Sequence, residues 1–267
     1  MKIKRSELPR LQKEQLHVMD VLHRLCEQNS IRYYIIGGTA LGSVRHKGFI
    51  PWDVDIDVAM PREDYMRFQK VAEAQSPNGY SFVDFKTDVC CHTSHGFFVY
   101  KSDDVSAVGG GSKYGIFIDI FPLDTAPNSV KEQKKHASHI KRLRFWQVYF
   151  YRANAKTGKQ TTIKLIVKPA LRLLQKIYPL NRLNQYIESI MMKYHNLKDE
   201  KYWCSMCSHY SYSKQCMEKD IYGAPTLYKF EDRQYYGPEK IEKYLELLFG
   251  DYMKLPSKEE QNKYFEE

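Results

Sequence analysis

The segment Asp53-Val54-Asp55-Ile56-Asp57-Val58 restricts this chain more than any other feature of its sequence. Side chains on a strand alternate faces, so three carboxylates stand on one side and three aliphatics on the other. The aliphatic side can bury in a core. The acidic side then holds like charges within a few ångströms, which is unfavourable unless a cation compensates. Hard divalent ions do this through oxygen ligands, so Mg2+ or Mn2+ is the expected cofactor. A solvated sheet face or a charge-guarded edge would show the same alternation, and the choice between them depends on neighbouring segments.

In Ile116-Phe117-Ile118-Asp119-Ile120-Phe121 a single acid sits among apolar residues. So apolar a strand is expected to be central, with its one charge paired or metal-bound. Laid beside the first strand, Asp119 joins Asp55 and Asp57 in a cluster able to hold one or two metals. Upstream, Gly37-Gly38-Thr39 precedes a short helix to about Val44, with Thr39 as its expected cap. Paired glycines let backbone approach a phosphate, and a helix N-terminus offers free N–H groups. Between the two lie Arg45-His46-Lys47. Arg45 and Lys47 suit the neutralisation of phosphate charge, whereas His46 reads equally well as a packing residue.

Around these motifs the spacing predicts a helix over 7–28, strands at 31–36, 53–59, 80–85, 96–101 and 115–121, and a helix over 62–74. From Lys131 the pattern turns helical and basic, and a last helix is expected over Pro238–Phe249, ended by Gly250. The expected fold is α+β: a mixed sheet core flanked by helices over residues 1–130, with a mainly helical portion over 131–267 that helps form the substrate site.

The long motif GGTALGSVRHKGFIPWDVDID, Gly37 to Asp57, resembles the nucleotidyltransferase superfamily signature and, more narrowly, that of the LicD family. This is the phosphocholine-transferase-like group that includes fukutin-related proteins. IDIFPLD at Ile118–Asp124, Phe230-Glu231 and FGDYMKLPSKEE at Phe249–Glu260 continue the resemblance over most of the chain. It implies a nucleotidyltransferase-like core and transfer of a phospho-substituent from a CDP-linked donor to a hydroxyl of a cell-surface glycan or lipid-linked precursor. Choline is the leading passenger, with ribitol, glycerol or a sugar-linked donor as alternatives. The family's metal acids fall on Asp55, Asp57 and Asp119, its glycine turn on Gly37 and Gly38, and its basic pair on Arg45 and His46. Thr39, Lys47, Trp52, Asp53 and Glu231 complete the expected substrate site. Many members carry three consecutive acids after the Trp. Here the middle one is Val54, which by alternation points away from Asp53, Asp55 and Asp57.

Other readings follow from composition. Nucleotidyl transfer from an NTP would use the same acids. Lys plus Arg exceed Asp plus Glu by +9, which favours anionic partners and admits a basic membrane or nucleic-acid adaptor; no RNA-binding signature supports a specific nucleic acid. Lys164, Lys168, Arg172 and Lys176 recur opposite Ile163, Val167, Ala170, Leu174 and Ile177. Such a stripe either packs on the domain or touches an anionic membrane from a cytoplasmic enzyme. Cys204, Cys207, His209 and Cys216 are either zinc ligands or packed thiols, while Cys90 and Cys91 read as buried thiols. The 21 tyrosines suit core packing, or sites for sugars or quaternary amines.

Overall fold

The computed structural model describes residues 3–88, 91, 93–101, 114–154, 162–262 and 265, with the backbone alone for 153, 154 and 162–168. The fold is mixed α+β. In chain order it runs α1 (Leu8–Gln28), β1 (Tyr34–Ile35), α2 (Gly37–Arg45), β2 (Asp57–Pro61), α3 (Arg62–Gln75), β3 (Tyr80–Val83), β4 (Gly96–Tyr100) and β5 (Ile116–Ala126). Then come α4 (Val130–Asn154), α5 (Thr162–Ile177), α6 (Leu180–Met191), β6 (Tyr202–Cys204), α7 (Tyr212–Gln215), β7 (Cys216–Glu218) and α8 (Lys219–Tyr222). A hairpin of β8 (Thr226–Phe230) and β9 (Arg233–Gly237) precedes α9 (Ile241–Phe249) and α10 (Lys258–Gln261). No helix among the described residues is long and apolar enough to cross a membrane.

Packing divides the chain into two compact units. The first comprises Met1–Phe82, His95–Leu123 and Trp203–Glu267. Its strands run in the order β1-β2-β5-β4-β3. β2 lies parallel to β5, and both β1 with β2 and β4 with β5 pair antiparallel. That mixed pattern sets β5 at the centre, so Ile116, Ile118 and Ile120 are all but inaccessible. α1 is amphipathic, and Leu8, Leu11, Leu16, Met19, Leu22 and Leu25 all go into the core. Each such side chain contributes about 1.5–3 kcal/mol by leaving water.

The tyrosines largely serve this core. Tyr33, Tyr34, Tyr222, Tyr235 and Tyr244 are among its largest fully buried side chains. Four of their hydroxyls are hydrogen-bonded: Tyr33 accepts Tyr236 N–H at 3.3 Å, Tyr34 donates to Gly223 O at 2.7 Å, Tyr235 donates to Asp20 Oδ1 at 2.7 Å, and Tyr244 accepts Gly37 N–H at 3.0 Å.

The second unit comprises Val83–Ser94 and Asp124–Tyr202. Here α4 packs with α5 and α6 around Ile140, Phe150, Leu171, Leu183 and Ile187. Gln147, buried on α4, donates to Asn184 Oδ1 at 2.7 Å, and Asn184 donates to Cys91 O at 3.0 Å. Gln175 of α5 donates to Phe150 O at 2.7 Å.

Four expectations need correction. The acidic strand begins at Asp57 rather than Asp53. α2 begins at Gly37, so Thr39 lies inside it and its hydroxyl caps nothing. The last long helix starts at Ile241, leaving Pro238 outside. Strands β6 to β9 interrupt the helices expected after Lys131. The β8–β9 pairing joins two runs across a two-residue turn, Glu231-Asp232, which carries none of the Asn-Gly chemistry that marks such turns in sequence.

Candidate active site

Parallel pairing of β2 and β5 sets Asp57 directly opposite Asp119. The segment 53–56 ahead of β2 keeps the alternation, with Val54 and Ile56 buried and Asp53, Asp55 and Asp57 half-buried. At Asp53 and Val54 its backbone is held by side chains, before the strand partner takes over at Ile56. Gln12 Nε2 donates to Asp53 O at 3.0 Å and the buried Gln15 donates to Val54 O at 2.9 Å. Asp119 N–H then reaches Ile56 O at 3.0 Å. So extended geometry survives where the ladder has not begun. Val54 points into the core, away from the acids.

One carboxylate oxygen each from Asp55, Asp57 and Asp119 lies within 4.8 Å of the others. Among the described residues no other group of three His, Cys, Asp or Glu offers this. Burial raises the Asp57 and Asp55 carboxyls well above the ordinary range, and the neighbouring acids raise them further. Burial also lifts Asp53, to about 6, against hydrogen bonds that act the other way. No Lys or Arg among the described residues forms an ion pair with Asp55 or Asp57. Three crowded hard oxygen donors, none paired with a described Lys or Arg, fit a divalent metal by number and chemistry.

The glycine turn sits on these acids. Gly37 has φ +55°, a region that favours glycine. A Cβ on Gly37 would meet Asp57 Oδ2 at 3.2 Å, and one on Gly38 would meet Asp53 Oδ2 at 2.6 Å. Only glycine lets α2 start this close to the carboxylates. Thr39 Oγ1 accepts Asp57 N–H at 2.8 Å, and Ile36 N–H donates to Asp57 O at 3.0 Å. The Thr39 hydroxyl thus fixes the strand where Asp57 begins it.

The basic motif is divided. Arg45 Nη1 donates to Tyr252 O at 2.8 Å and to Lys254 O at 3.2 Å, so its guanidinium ties down the FGDYMKLP segment. His46 stands edge-on to the half-buried Trp52, with ring centroids 6.2 Å apart, and burial lowers its pKa. Lys47, at φ +61°, is exposed. Glu231, at φ +56°, donates its N–H to Lys47 O at 2.7 Å and accepts Phe49 N–H on Oε1 at 3.0 Å. Its carboxylate lies over Gly48, where a Cβ would collide with it. Glu231 therefore braces the 47–49 turn.

Sequence reasoning passes over His95. Its Nε2 lies 2.8 Å from Asp119 Oδ1, and its ring stacks on Phe121 with centroids 4.4 Å apart. His95 immediately precedes β4, in which Phe97 pairs with Asp119. The signal is therefore a strand register, which no local pattern reveals. Phe97 stacks on Tyr114 at 5.5 Å and meets Phe117 edge-on at 5.3 Å. Phe117, Asp119 and Phe121 share one face of β5, each about 7 Å from the next in steps of two residues.

The cysteine motif is not gathered into a comparable site. Cys204 and Cys207 are buried and Cys216 is half-buried, none of them in a disulfide. Together with His209 they form no group of metal-ligand spacing among the described residues. Cys91 is buried, while Cys90 lies outside the described residues.

Comparison with known proteins adds to this geometry. The family model described as LicD/FKTN/FKRP, nucleotidyltransferase domain, matches residues 30–164. The lipopolysaccharide cholinephosphotransferase LicD of Haemophilus influenzae is 30% identical over 258 residues, covering 92% of this chain and 91% of that protein. The ribitol 5-phosphate transferase FKRP of Homo sapiens is 36% identical over 50 residues, 19% of this chain and 10% of that protein. An uncharacterized protein of Rickettsia typhi is 39% identical over 74 residues, 28% of this chain and 24% of its own length.

Proposed function

We propose that this chain, which belongs to the LicD family of phosphotransferases, moves phosphocholine from a CDP-linked donor to a hydroxyl of a cell-surface glycan or its lipid-linked precursor. The observation that carries this reading is the register that sets Asp57 opposite Asp119 and draws in Asp55. The sheet around them is read as nucleotidyltransferase-like. Mg2+ or Mn2+ held by Asp55, Asp57 and Asp119 would stabilise charge on the entering and leaving oxygens of an in-line displacement.

The chain's own residues do the rest. Gly37 and Gly38 let the start of α2 approach the donor diphosphate, where its N–H groups face negative charge. Lys47 is free to offset charge on the departing CMP, while Arg45, His46 and Glu231 hold the turn that presents it. Trp52 and Asp53 border this turn and the acids. The acceptor oxygen forms its bond to the distal phosphorus as the bond to CMP breaks. Its proton passes to Asp119, which His95 Nε2 holds in orientation.

Aromatic rings favour choline as the transferred alcohol. Phe97, Phe117, Phe121 and Tyr114 flank Asp119, and aromatic faces attract quaternary ammonium groups. The second reading, an alditol-phosphate donor, rests on the shorter similarity to FKRP.

The test is CMP release from CDP-choline, CDP-ribitol and CDP-glycerol, each with Mg2+ and with EDTA, beside an Asp57→Asn variant. Metal-dependent release from CDP-choline, lost in the variant, is the expected result. Release from CDP-ribitol alone would move the reading to an alditol. Undiminished turnover in the variant would remove the acid cluster from the reaction.

A further inference from the structure

The second compact unit carries a surface that the proposed reaction leaves unused. Residues 131–180 hold thirteen Lys and Arg against a single acid, Glu132, a balance of +12. The whole chain nets +9, so all its other residues together carry −3. The positive character of this protein therefore belongs to one stretch, α4, α5 and the segment between them.

The same helices expose their apolar side chains. On α4, Phe145 is 53% and Trp146 48% exposed, with Val148 and Tyr149 beside them. The rings of Phe145 and Tyr149 lie 4.4 Å apart, and those of Phe145 and Trp146 5.8 Å apart. On α5, Leu173 is 62% and Ile177 74% exposed, and Leu174 and, just past the helix end, Tyr178 are exposed as well. If the sequence stripe packed on the domain, Ala170, Leu174 and Ile177 would be buried. All three are exposed, while the side chains of Ile163 and Val167 lie outside the described residues; among the described side chains of α5, Leu171 enters the core. Lys141 and Arg142 on α4, and Arg172 and Lys176 on α5, are exposed alongside the apolar residues.

We infer that α4 and α5 form a docking surface for an anionic phospholipid membrane. Interleaved Trp, Phe, Leu and Ile with Lys and Arg is the composition of an interfacial helix, whose apolar face enters the headgroup boundary while its cations meet lipid phosphates. A soluble acidic protein partner would match the charge alone. A second copy of this chain would match the apolar area but bring +12 against +12. An anionic lipid surface satisfies both, including the exposed aliphatic Leu173, Leu174 and Ile177. Such docking would deliver the enzyme to acceptors that are themselves lipid-linked.

The inference is tested by flotation of the full chain with vesicles of phosphatidylcholine alone and of equal parts phosphatidylcholine and phosphatidylglycerol. Binding only to the anionic vesicles, weakened by salt, is expected. Lys141→Glu with Arg142→Glu and Lys176→Glu lowers that binding by well over about tenfold, since each cation near such a surface is worth about a factor of five. Phe145→Ser with Ile177→Ser lowers it too. In the unaltered chain, lipids brominated near the headgroup quench Trp146. No binding to anionic vesicles, equal binding to both kinds, or a dimer disrupted by the serine variant without any vesicle binding would each overturn it. CMP release measured without vesicles stays the same in both variants, so loss of docking and loss of the catalytic reading are separable.

Discussion

Around Asp57 three elements hold the backbone at once, whereas along α4 and α5 the helical backbone is complete and apolar side chains are left over. Thr39 takes the Asp57 N–H and Ile36 donates to its C=O. Gln12 and Gln15 of α1 hold the carbonyls just upstream. All this scaffold fixes a set of carboxylates whose mutual repulsion opposes folding. On the helices, Phe145, Leu173 and Ile177 stay in water although their burial would be favourable. In each region an uncompensated group is the basis of a proposal: crowded negative charge for a metal, and apolar surface with positive charge for an anionic interface.

The largest expected effect breaks the first region. Asp57→Asn lowers metal-dependent CMP release by about 10²–10³-fold or more. In EDTA the same variant melts higher than the parent, because a buried carboxylate beside like charges is gone. Measuring both on one preparation separates function from fold. A variant that loses activity and melts lower would make Asp57 a structural residue.

The next effect concerns pH. Burial raises Asp53, to about 6, and burial together with the neighbouring acids raises Asp55 and Asp57. The folded chain then binds more protons than the unfolded one above the usual carboxylate range. Without metal, stability should fall as pH rises from about 4 through 6 and beyond. Melting in EDTA should therefore drop between about pH 5 and pH 7, and Mg2+ should restore it. A melting temperature that climbs with pH in EDTA contradicts the crowding of these acids.

A smaller loss is expected at the brace. Glu231→Ala leaves Phe49 N–H without its acceptor, at a cost of about 1–3 kcal/mol. Thermal melting should fall by several degrees, with CMP release reduced less than in Asp57→Asn. Activity lost as completely as in Asp57→Asn, at unchanged melting, would give Glu231 a direct role at substrate. The smallest effect sharpens the second region: Phe145→Ser with Tyr149→Ser should change stability by no more than about 0.5 kcal/mol. A large fall in melting would show that those rings are packed against something in solution.

Much of the site is legible in the amino-acid sequence. Asp55 and Asp57 follow from alternation, and Asp119 from its place as the lone charge in an apolar strand; the family resemblance orders them. Other residues have legible types but illegible tasks. Thr39 has the chemistry of a cap and instead holds the Asp57 amide, because α2 starts two residues earlier. Arg45 has the chemistry of a phosphate ligand, but its Nη1 is engaged by two carbonyls over 200 residues away. His95 gives no signal, since its meeting with Asp119 arises from antiparallel pairing of β4 with β5. The α5 stripe shows its period but not its surroundings, and the described part of its apolar face, Ala170, Leu174 and Ile177, proves to be exposed.

From sequence alone come the fold class, the family, the acidic face and the concentration of positive charge in residues 131–180. Each depends on neighbours within a few positions or on composition, and local geometry makes such features periodic. Tertiary structure alone decides that Asp57 faces Asp119, that Gln12 and Gln15 hold the segment ahead of β2, and that Glu231 braces the turn at Gly48. The physical reason is that strand register and helix docking are settled by the summed packing of distant segments. A single residue's pattern carries the capacity for a contact, and the rest of the chain chooses the partner.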